Sequence, residues 1–82
     1  MSADNGRRDD LYRFFREAIH VEVPADDTDL LDEGLLDSLG LVELVLFLEH
    51  HYAIQLDLTE LDLVAIRTPS AILRLIADRQ KT

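Results

Sequence analysis

The sequence predicts an all-α domain, a small four-helix bundle with three longer helices, one short third helix and a long loop between helices one and two. Apolar residues recur at the three- and four-residue spacing of a helix face in several separate segments. No convincing run of residues alternates in the manner of β-strands. The chain has 82 residues, enough for one domain with a thin core. We assign residues 9–80 to this domain and residues 1–8 to a flexible N-terminal tail.

The first helix is predicted from Asp9 to Ile19, and a loop follows from His20 to Asp37. The apolar face of the helix has the i, i+3, i+4, i+7 spacing and consists of Leu11, Phe14, Phe15 and Ala18. The loop has an acidic cluster made of Asp26, Asp27, Asp29, Asp32 and Glu33. It also contains the leucines Leu30, Leu31, Leu35 and Leu36. Because a merely solvated loop would not carry so many leucines, we expect this loop to pack on the domain.

The second half of the chain is predicted to hold three further helices. The second helix runs from Ser38 to His51, an extended segment follows, and a short third helix lies within Leu58 to Ile66. Thr68-Pro69 is a start signal, a capping hydroxyl followed by proline at the first helical position. The buried face of the last helix is predicted to consist of Ile72, Leu75 and Ile76.

The second helix has two apolar faces. The core face is predicted to consist of Leu41, Leu44, Val45 and Leu48. A second strip, Leu39, Val42 and Leu46, lies away from this face and is flanked by Glu43 and Glu49. The helix is either buried nearly all round, with the loop as a cover, or it exposes the strip as a docking surface. We favour docking because so small a domain has too few elements to cover both faces. Phe47 belongs to neither group and is predicted to pack against the loop.

The charge distribution restricts the possible partners. The net charge is −9, and all basic residues lie within Arg7–Arg16 or Arg67–Lys81. The stretch from Glu17 to Ile66 has no basic side chain but holds thirteen of the seventeen acidic residues. Nucleic acid is therefore excluded as a partner, since phosphate binding needs clustered cations. The acidic surface either keeps the protein in solution or steers basic partners toward it.

Composition and hydropathy also indicate a compartment. The absence of cysteine excludes disulfides, thiolate metal sites and a cysteine nucleophile, and it suits the cytoplasm. The polar N-terminus lacks the apolar run of a signal peptide. The longest apolar stretch, Leu44 to Leu48, is too short to span a bilayer. We expect a cytoplasmic protein with no membrane partner.

A serine stands where the loop ends and the second helix begins. Either Asp37 or Ser38 could cap this helix. The stretch from Leu30 to Leu44, which contains Asp37-Ser38-Leu39 and Val42-Glu43-Leu44, resembles the attachment region of acyl and aminoacyl carrier proteins. The resemblance extends from the first helix to Thr68-Pro69-Ser70-Ala71-Ile72. Gly34-Leu35-Leu36-Asp37-Ser38 looks closer to D-alanyl carriers and to specialised aminoacyl or secondary-metabolite carriers than to the fatty-acid type.

This resemblance implies a function. Ser38 would receive a 4′-phosphopantetheine arm from coenzyme A, and the arm would hold an acyl or aminoacyl group as a thioester. The cargo class stays open. The implied partners are a phosphopantetheinyl transferase, a loading ligase and downstream acyl-transferring enzymes. With Glu49, which flanks the strip, the residues assigned to partner docking are Asp37, Leu39, Val42, Glu43, Leu46 and Glu49. The resemblance implies no catalytic residue, and we expect a monomer.

Three other classes of protein share single features with this sequence. A serine hydrolase is disfavoured because twelve helical residues, about 18 Å, separate Ser38 from His50, and no Gly-x-Ser-x-Gly turn is present. A calcium-binding loop aligned on Asp29 would place Leu31 and Gly40 at two positions that need oxygen ligands, so no metal site is predicted. The alternative that stays open is a non-catalytic acidic helical interaction module without a prosthetic group.

Overall fold

The computed structural model describes residues 3–57, 59 and 62–80. It contains helix α1 (Ala3–Ala18), helix α2 (Ser38–Tyr52), a single 3₁₀ turn (Leu63–Ile66) and helix α3 (Pro69–Gln80). The described residues contain no β-strand, which confirms the all-α class. The four-helix bundle is not confirmed. The predicted short helix is represented by the 3₁₀ turn, and residues 58, 60 and 61 of its predicted range lie outside the described residues.

The first helix begins at Ala3 instead of Asp9, so residues 3–8 of the predicted flexible tail are helical. Residues 1 and 2 lie outside the described residues. Contacts from distant parts of the chain reach residues 7 and 8 of this extension. The Arg7 Nη2 donates to Gln80 Oε1 at 2.6 Å, and the Tyr52 hydroxyl donates to the Arg7 carbonyl at 3.4 Å. The Arg8 Nε lies 3.0 Å from both carboxylate oxygens of Asp26. The local apolar pattern contains no information about these contacts.

The core lies between the three helices and includes the loop between α1 and α2. Its buried apolar side chains are Leu11, Phe14, Phe15, Leu30, Leu36, Leu44, Val45, Leu48, Ile54, Leu56, Ile66, Ile72 and Ile76. The predicted packing of the loop is confirmed, because Leu30 and Leu36 are 1% and 3% exposed. Ala18, the last residue of α1, is exposed, contrary to its predicted place on the buried face. Leu41 and Leu75, which we predicted to be in the core, are half-buried.

The helix ends follow local rules. The Thr68 hydroxyl accepts a hydrogen bond from the Ala71 N–H at 3.1 Å, which confirms the predicted start of α3. Helix α2 ends at Tyr52 and is capped by Ala53, which has the left-handed conformation with φ 55°. Gly34 also has a positive φ of 70°, in the turn just before α2, and glycine adopts this conformation without a steric penalty.

Phe47 packs against α1, a contact that the sequence did not predict. Its ring stacks on Phe14 with the centroids 4.6 Å apart, and on His51 at 5.0 Å. The His51 Nε2 also lies 3.1 Å from Asp10 Oδ2, so this histidine joins α2 to α1. None of the helices in the described part of the chain is long and apolar enough to cross a membrane.

Candidate functional site

Asp37, and not Ser38, caps helix α2. Its backbone is extended, with φ −98° and ψ −173°, and its Oδ1 accepts a hydrogen bond from the Gly40 N–H at 2.7 Å. The Asp37 carbonyl accepts from the Leu41 N–H at 2.8 Å and so begins the helical hydrogen bonds. Ser38 is therefore the first residue of the helix. Its side chain is exposed, and its hydroxyl makes no hydrogen bond with any residue in the described part of the chain.

The absence of a side chain at Gly40 leaves room for this cap. A Cβ atom added to Gly40 would lie 3.2 Å from Asp37 Oδ1 and 3.2 Å from Leu36 Cδ1. Both distances are shorter than ordinary van der Waals contact. Glycine at this position lets the capping carboxylate and the buried Leu36 side chain reach the first turn of α2 together. The chain on both sides of Ser38 is thereby fixed while the serine side chain faces solvent.

The predicted apolar strip on α2 is exposed. Leu39, Val42 and Leu46 are 69%, 41% and 50% exposed, while Leu44 and Leu48 on the opposite face are 0% exposed. The alternative in which the loop covers the strip is therefore wrong, because the loop leucines turn into the core instead. The strip begins beside Ser38 and continues for two turns of the helix.

The two carboxylates that flank the strip differ in their surroundings. Glu43 is half-buried, and its carboxylate makes no hydrogen bond within the described part of the chain. The Glu49 Oε2 accepts a hydrogen bond from the Leu56 N–H at 3.1 Å. Glu49 thus fastens the segment that follows α2, a structural contact that the helix pattern did not predict.

Arginines partly neutralise the acidic cluster of the loop. Hydrogen bonds from Arg8 and then from the Tyr12 hydroxyl lower the pKa of Asp26. The Asp32 backbone N–H, followed by the Arg67 guanidinium, lowers the pKa of Asp29. Within residues 3–57, 59 and 62–80, no three His, Cys, Asp or Glu side chains are grouped closely enough to hold a metal ion. Three of the five loop acids, Asp26, Asp29 and Asp32, are therefore partners of the two arginines.

The start of α2 fits a covalently attached phosphate ester. The backbone N–H groups of Ser38 and Leu39 lie in the first turn, where helical hydrogen bonds do not use them. These N–H groups and the helix dipole favour a negative charge on the serine oxygen. A small helical domain that displays such a serine beside an exposed apolar strip has the features of a carrier, a protein that presents an attached group to enzymes.

Comparison with known families agrees with this class. The family model described as "Phosphopantetheine attachment site" matches residues 9–76. The chain belongs to this family. It is a carrier protein with an attachment site for a covalent 4′-phosphopantetheine group.

Curated relatives include several D-alanyl carrier proteins. The chain is 46% identical to that of Bacillus licheniformis over 48 residues, which cover 58% of this chain and 62% of the relative. It is 38% identical to that of Bacillus subtilis over 52 residues, covering 63% and 67%. It is 32% identical to that of Bacillus pumilus over 73 residues, covering 87% and 94%. The match to the first relative therefore spans less than two thirds of that protein, while the match to the third spans nearly all of it.

Some residues that shape the site were not predicted as such. Leu36 was predicted to pack on the domain, but its close approach to Gly40 beside Asp37 was not predicted. A signal was available, because an aspartate three residues before a glycine suits a cap that bonds to the third helical N–H. Arg67 is far from Ser38 in the chain, and no local pattern connects the two.

Proposed function

We propose that Ser38 is the attachment residue and that the cargo is an aminoacyl group, with D-alanine as the first candidate. The observation that carries the assignment is the exposed Ser38 hydroxyl in the first turn of α2, free of hydrogen bonds to the described residues. It lies inside the region matched by the family model. The names of the relatives support D-alanine as the cargo.

The modification is a phosphoryl-type transfer to a hydroxyl. The Ser38 Oγ forms a bond to the phosphorus next to pantetheine in coenzyme A. The bond from that phosphorus to the bridging oxygen breaks, and adenosine 3′,5′-bisphosphate leaves with this oxygen. The hydroxyl proton passes to the transferase or to water. Because Asp37 makes the capping bond, the Ser38 oxygen is available for this reaction.

We further propose that partner enzymes dock on the face formed by Asp37, Leu39, Val42, Glu43, Leu46 and Glu49. The exposed strip supplies apolar contact beside Ser38, and a strip of this kind on a small domain marks an interaction site. The carboxylates favour enzymes with basic surfaces. The partners are a phosphopantetheinyl transferase, an aminoacyl-loading ligase and an acyl-transferring enzyme. We also propose that residues 9–80 form the carrier domain and that the protein is a cytoplasmic monomer. In this proposal the domain is a four-helix bundle, with the 3₁₀ turn as its fourth helical element.

Intact mass tests the attachment residue. Apo protein incubated with coenzyme A, Mg²⁺ and a phosphopantetheinyl transferase should gain roughly 340 Da, the mass of the arm. Ser38→Ala should gain nothing and should melt at nearly the parental temperature, since Asp37 provides the cap. Ser70→Ala is the matched control, because Ser70 is an exposed serine in the first turn of α3, and it should be modified fully. A mass gain in Ser38→Ala would show that another residue is attached.

Different measurements test the alternative function and the identity of the cargo. If the parent protein gains no mass, it is an acidic interaction module without the prosthetic group. Once the modified form is available, it is offered D-alanine, L-alanine and a fatty acid with ATP and the ligase that activates each. The proposal expects D-alanyl thioester to form with the D-alanine ligase. Loading by fatty acid alone would refute the aminoacyl cargo and leave the attachment residue unaffected.

A further inference from the structure

We propose that Arg67, the residue after the 3₁₀ turn, positions Ser38 for modification by fixing the chain segment that leads into α2. The inference rests on the proposed attachment at Ser38. Arg67 does not touch Ser38. It acts through two sets of contacts, one from its side chain and one from its backbone, and both reach the turn that precedes the helix.

The side chain of Arg67 closes a turn in the loop. Its Nε donates to Asp29 Oδ2 at 2.6 Å, and its Nη2 lies 3.3 Å from Asp32 Oδ1. The other oxygen of Asp29 accepts hydrogen bonds from the Leu31 N–H at 3.1 Å and from the Asp32 N–H at 2.9 Å. One carboxylate is therefore bonded both to its own turn and to Arg67, so the guanidinium limits the orientations of the whole turn.

The backbone of Arg67 continues the connection toward α2. Its carbonyl accepts from the Leu30 N–H at 2.8 Å. The Leu30 carbonyl in turn accepts from the N–H groups of Leu35 and Leu36, at 2.9 Å and 3.1 Å. Leu36 is buried, and its Cδ1 lies 3.2 Å from the position that a Cβ of Gly40 would occupy. A continuous path of hydrogen bonds and packing thus joins Arg67 to the residues on both sides of Asp37-Ser38.

A second ion pair provides the matched comparison. Arg8 pairs with Asp26 at 3.0 Å, and the side chains are 46% and 38% exposed. Arg67 pairs with Asp29 at 2.6 Å, with side chains 41% and 30% exposed. Both pairs hold the same loop and have similar exposure. Asp26 lies earlier in the loop, and its carbonyl bonds to the Ser70 N–H in α3 and not to the segment before Ser38. Substitution of Arg8 therefore removes an ion pair of the loop only, whereas substitution of Arg67 removes an ion pair and also the positioning of Ser38.

The test is the steady-state kinetics of modification for Arg67→Gln and Arg8→Gln. The α2 face that we propose for docking is unchanged in both variants, so KM for the carrier should stay near the parental value. For Arg67→Gln, kcat should fall by roughly two- to fivefold. Loss of a partly exposed ion pair shifts the equilibrium between the fixed and the loosened chain segment by about this factor. Arg8→Gln should retain the parental kcat. In Arg67→Gln alone, the amide protons of Leu35 and Leu36 should exchange with solvent faster.

Several outcomes would support or overturn the positioning role of Arg67. Equal kcat values for the two Gln variants would overturn the positioning role. If Arg67→Gln does not fold, Arg67→Lys and Asp32→Asn, which weaken the contacts less, replace it. An unchanged kcat in both of these would also overturn the role, and an intermediate fall would support it. Mass gain in Ser38→Ala is a different failure, because it refutes the attachment residue and not the behaviour of Arg67.

Discussion

Substitution of a leucine on each face of α2 tests the two-faced character of the helix. The Leu48 side chain is 0% exposed, and the Leu46 side chain is 50% exposed, two residues earlier in the same helix. Leu48→Ala removes buried methyl groups and leaves a cavity, which costs about 2–5 kcal/mol. Leu46→Ala removes a half-exposed side chain with no cavity. Its cost should be about half of the roughly 1.5–3 kcal/mol for complete burial, or about 1 kcal/mol.

The difference should be large relative to the stability of the domain. At about 0.05–0.15 kcal/mol per residue, a domain of this size has roughly 4–12 kcal/mol of unfolding free energy. Each kcal/mol lowers the melting temperature by about 4–8 °C at this length. Leu48→Ala should therefore melt at least about 8 °C below the parent, and its shift should be at least twice that of Leu46→Ala.

Circular dichroism during thermal and urea unfolding measures both variants. The substitution is chemically identical at the two positions, so the difference in intrinsic helix propensity between leucine and alanine cancels in the comparison. Equal losses of stability would mean that Leu46 is as buried as Leu48, and the docking strip would lose its structural basis. A Leu46→Ala variant that is stable but poorly modified by the transferase would agree with docking on this face.

Two further predictions concern charge. Glu43→Lys should slow modification by the transferase most at low ionic strength, where attraction to a basic partner is least screened, and should leave the melting temperature nearly unchanged. Glu22→Lys is the control, because Glu22 is an exposed acidic residue outside the proposed docking face. If Glu43→Lys is modified at the parental rate at two salt concentrations, electrostatic docking on this face is ruled out. The second prediction concerns stability in acid. Because the pKa values of Asp26 and Asp29 are lowered, the folded state binds fewer protons than the unfolded state. The contribution of these two carboxylates to stability is therefore present above pH 3.8, their ordinary pKa, and is lost as the pH falls below that value. Asp29→Asn should reduce this loss in urea unfolding measured from pH 6 to pH 3, and an unchanged pH dependence would contradict the assignment.

Local patterns in the sequence were sufficient for the starts of α2 and α3 and for the two faces of α2. Helix α2 runs from Ser38 to Tyr52, one residue beyond the predicted end. The periodicity of its leucines separated the buried Leu44 and Leu48 from the exposed Leu39 and Leu46. These features depend on residues within a turn or two of each other, where side-chain spacing alone decides which of them share a face.

The candidate site was only partly predictable. The position of Ser38 at the start of α2 followed from the resemblance and the local pattern. The choice of Asp37 as the cap did not, because both residues have suitable side-chain oxygens. The close approach of Leu36 to Gly40 favours Asp37, since it brings the loop to the first turn with the aspartate carboxylate bonded to the Gly40 N–H.

The sequence by itself determined the all-α class, the starts of α2 and α3 and the exposed apolar strip, because short-range periodicity and capping encode each of them. The tertiary structure alone decided the contacts that join the start of α1 to the rest of the domain, such as the one between Arg7 and Gln80. It also decided the pairing of Arg67 with Asp29, across 38 positions of the chain. Such contacts depend on how the helices and the loop are brought together in space, and residue spacing along the chain carries no record of that arrangement.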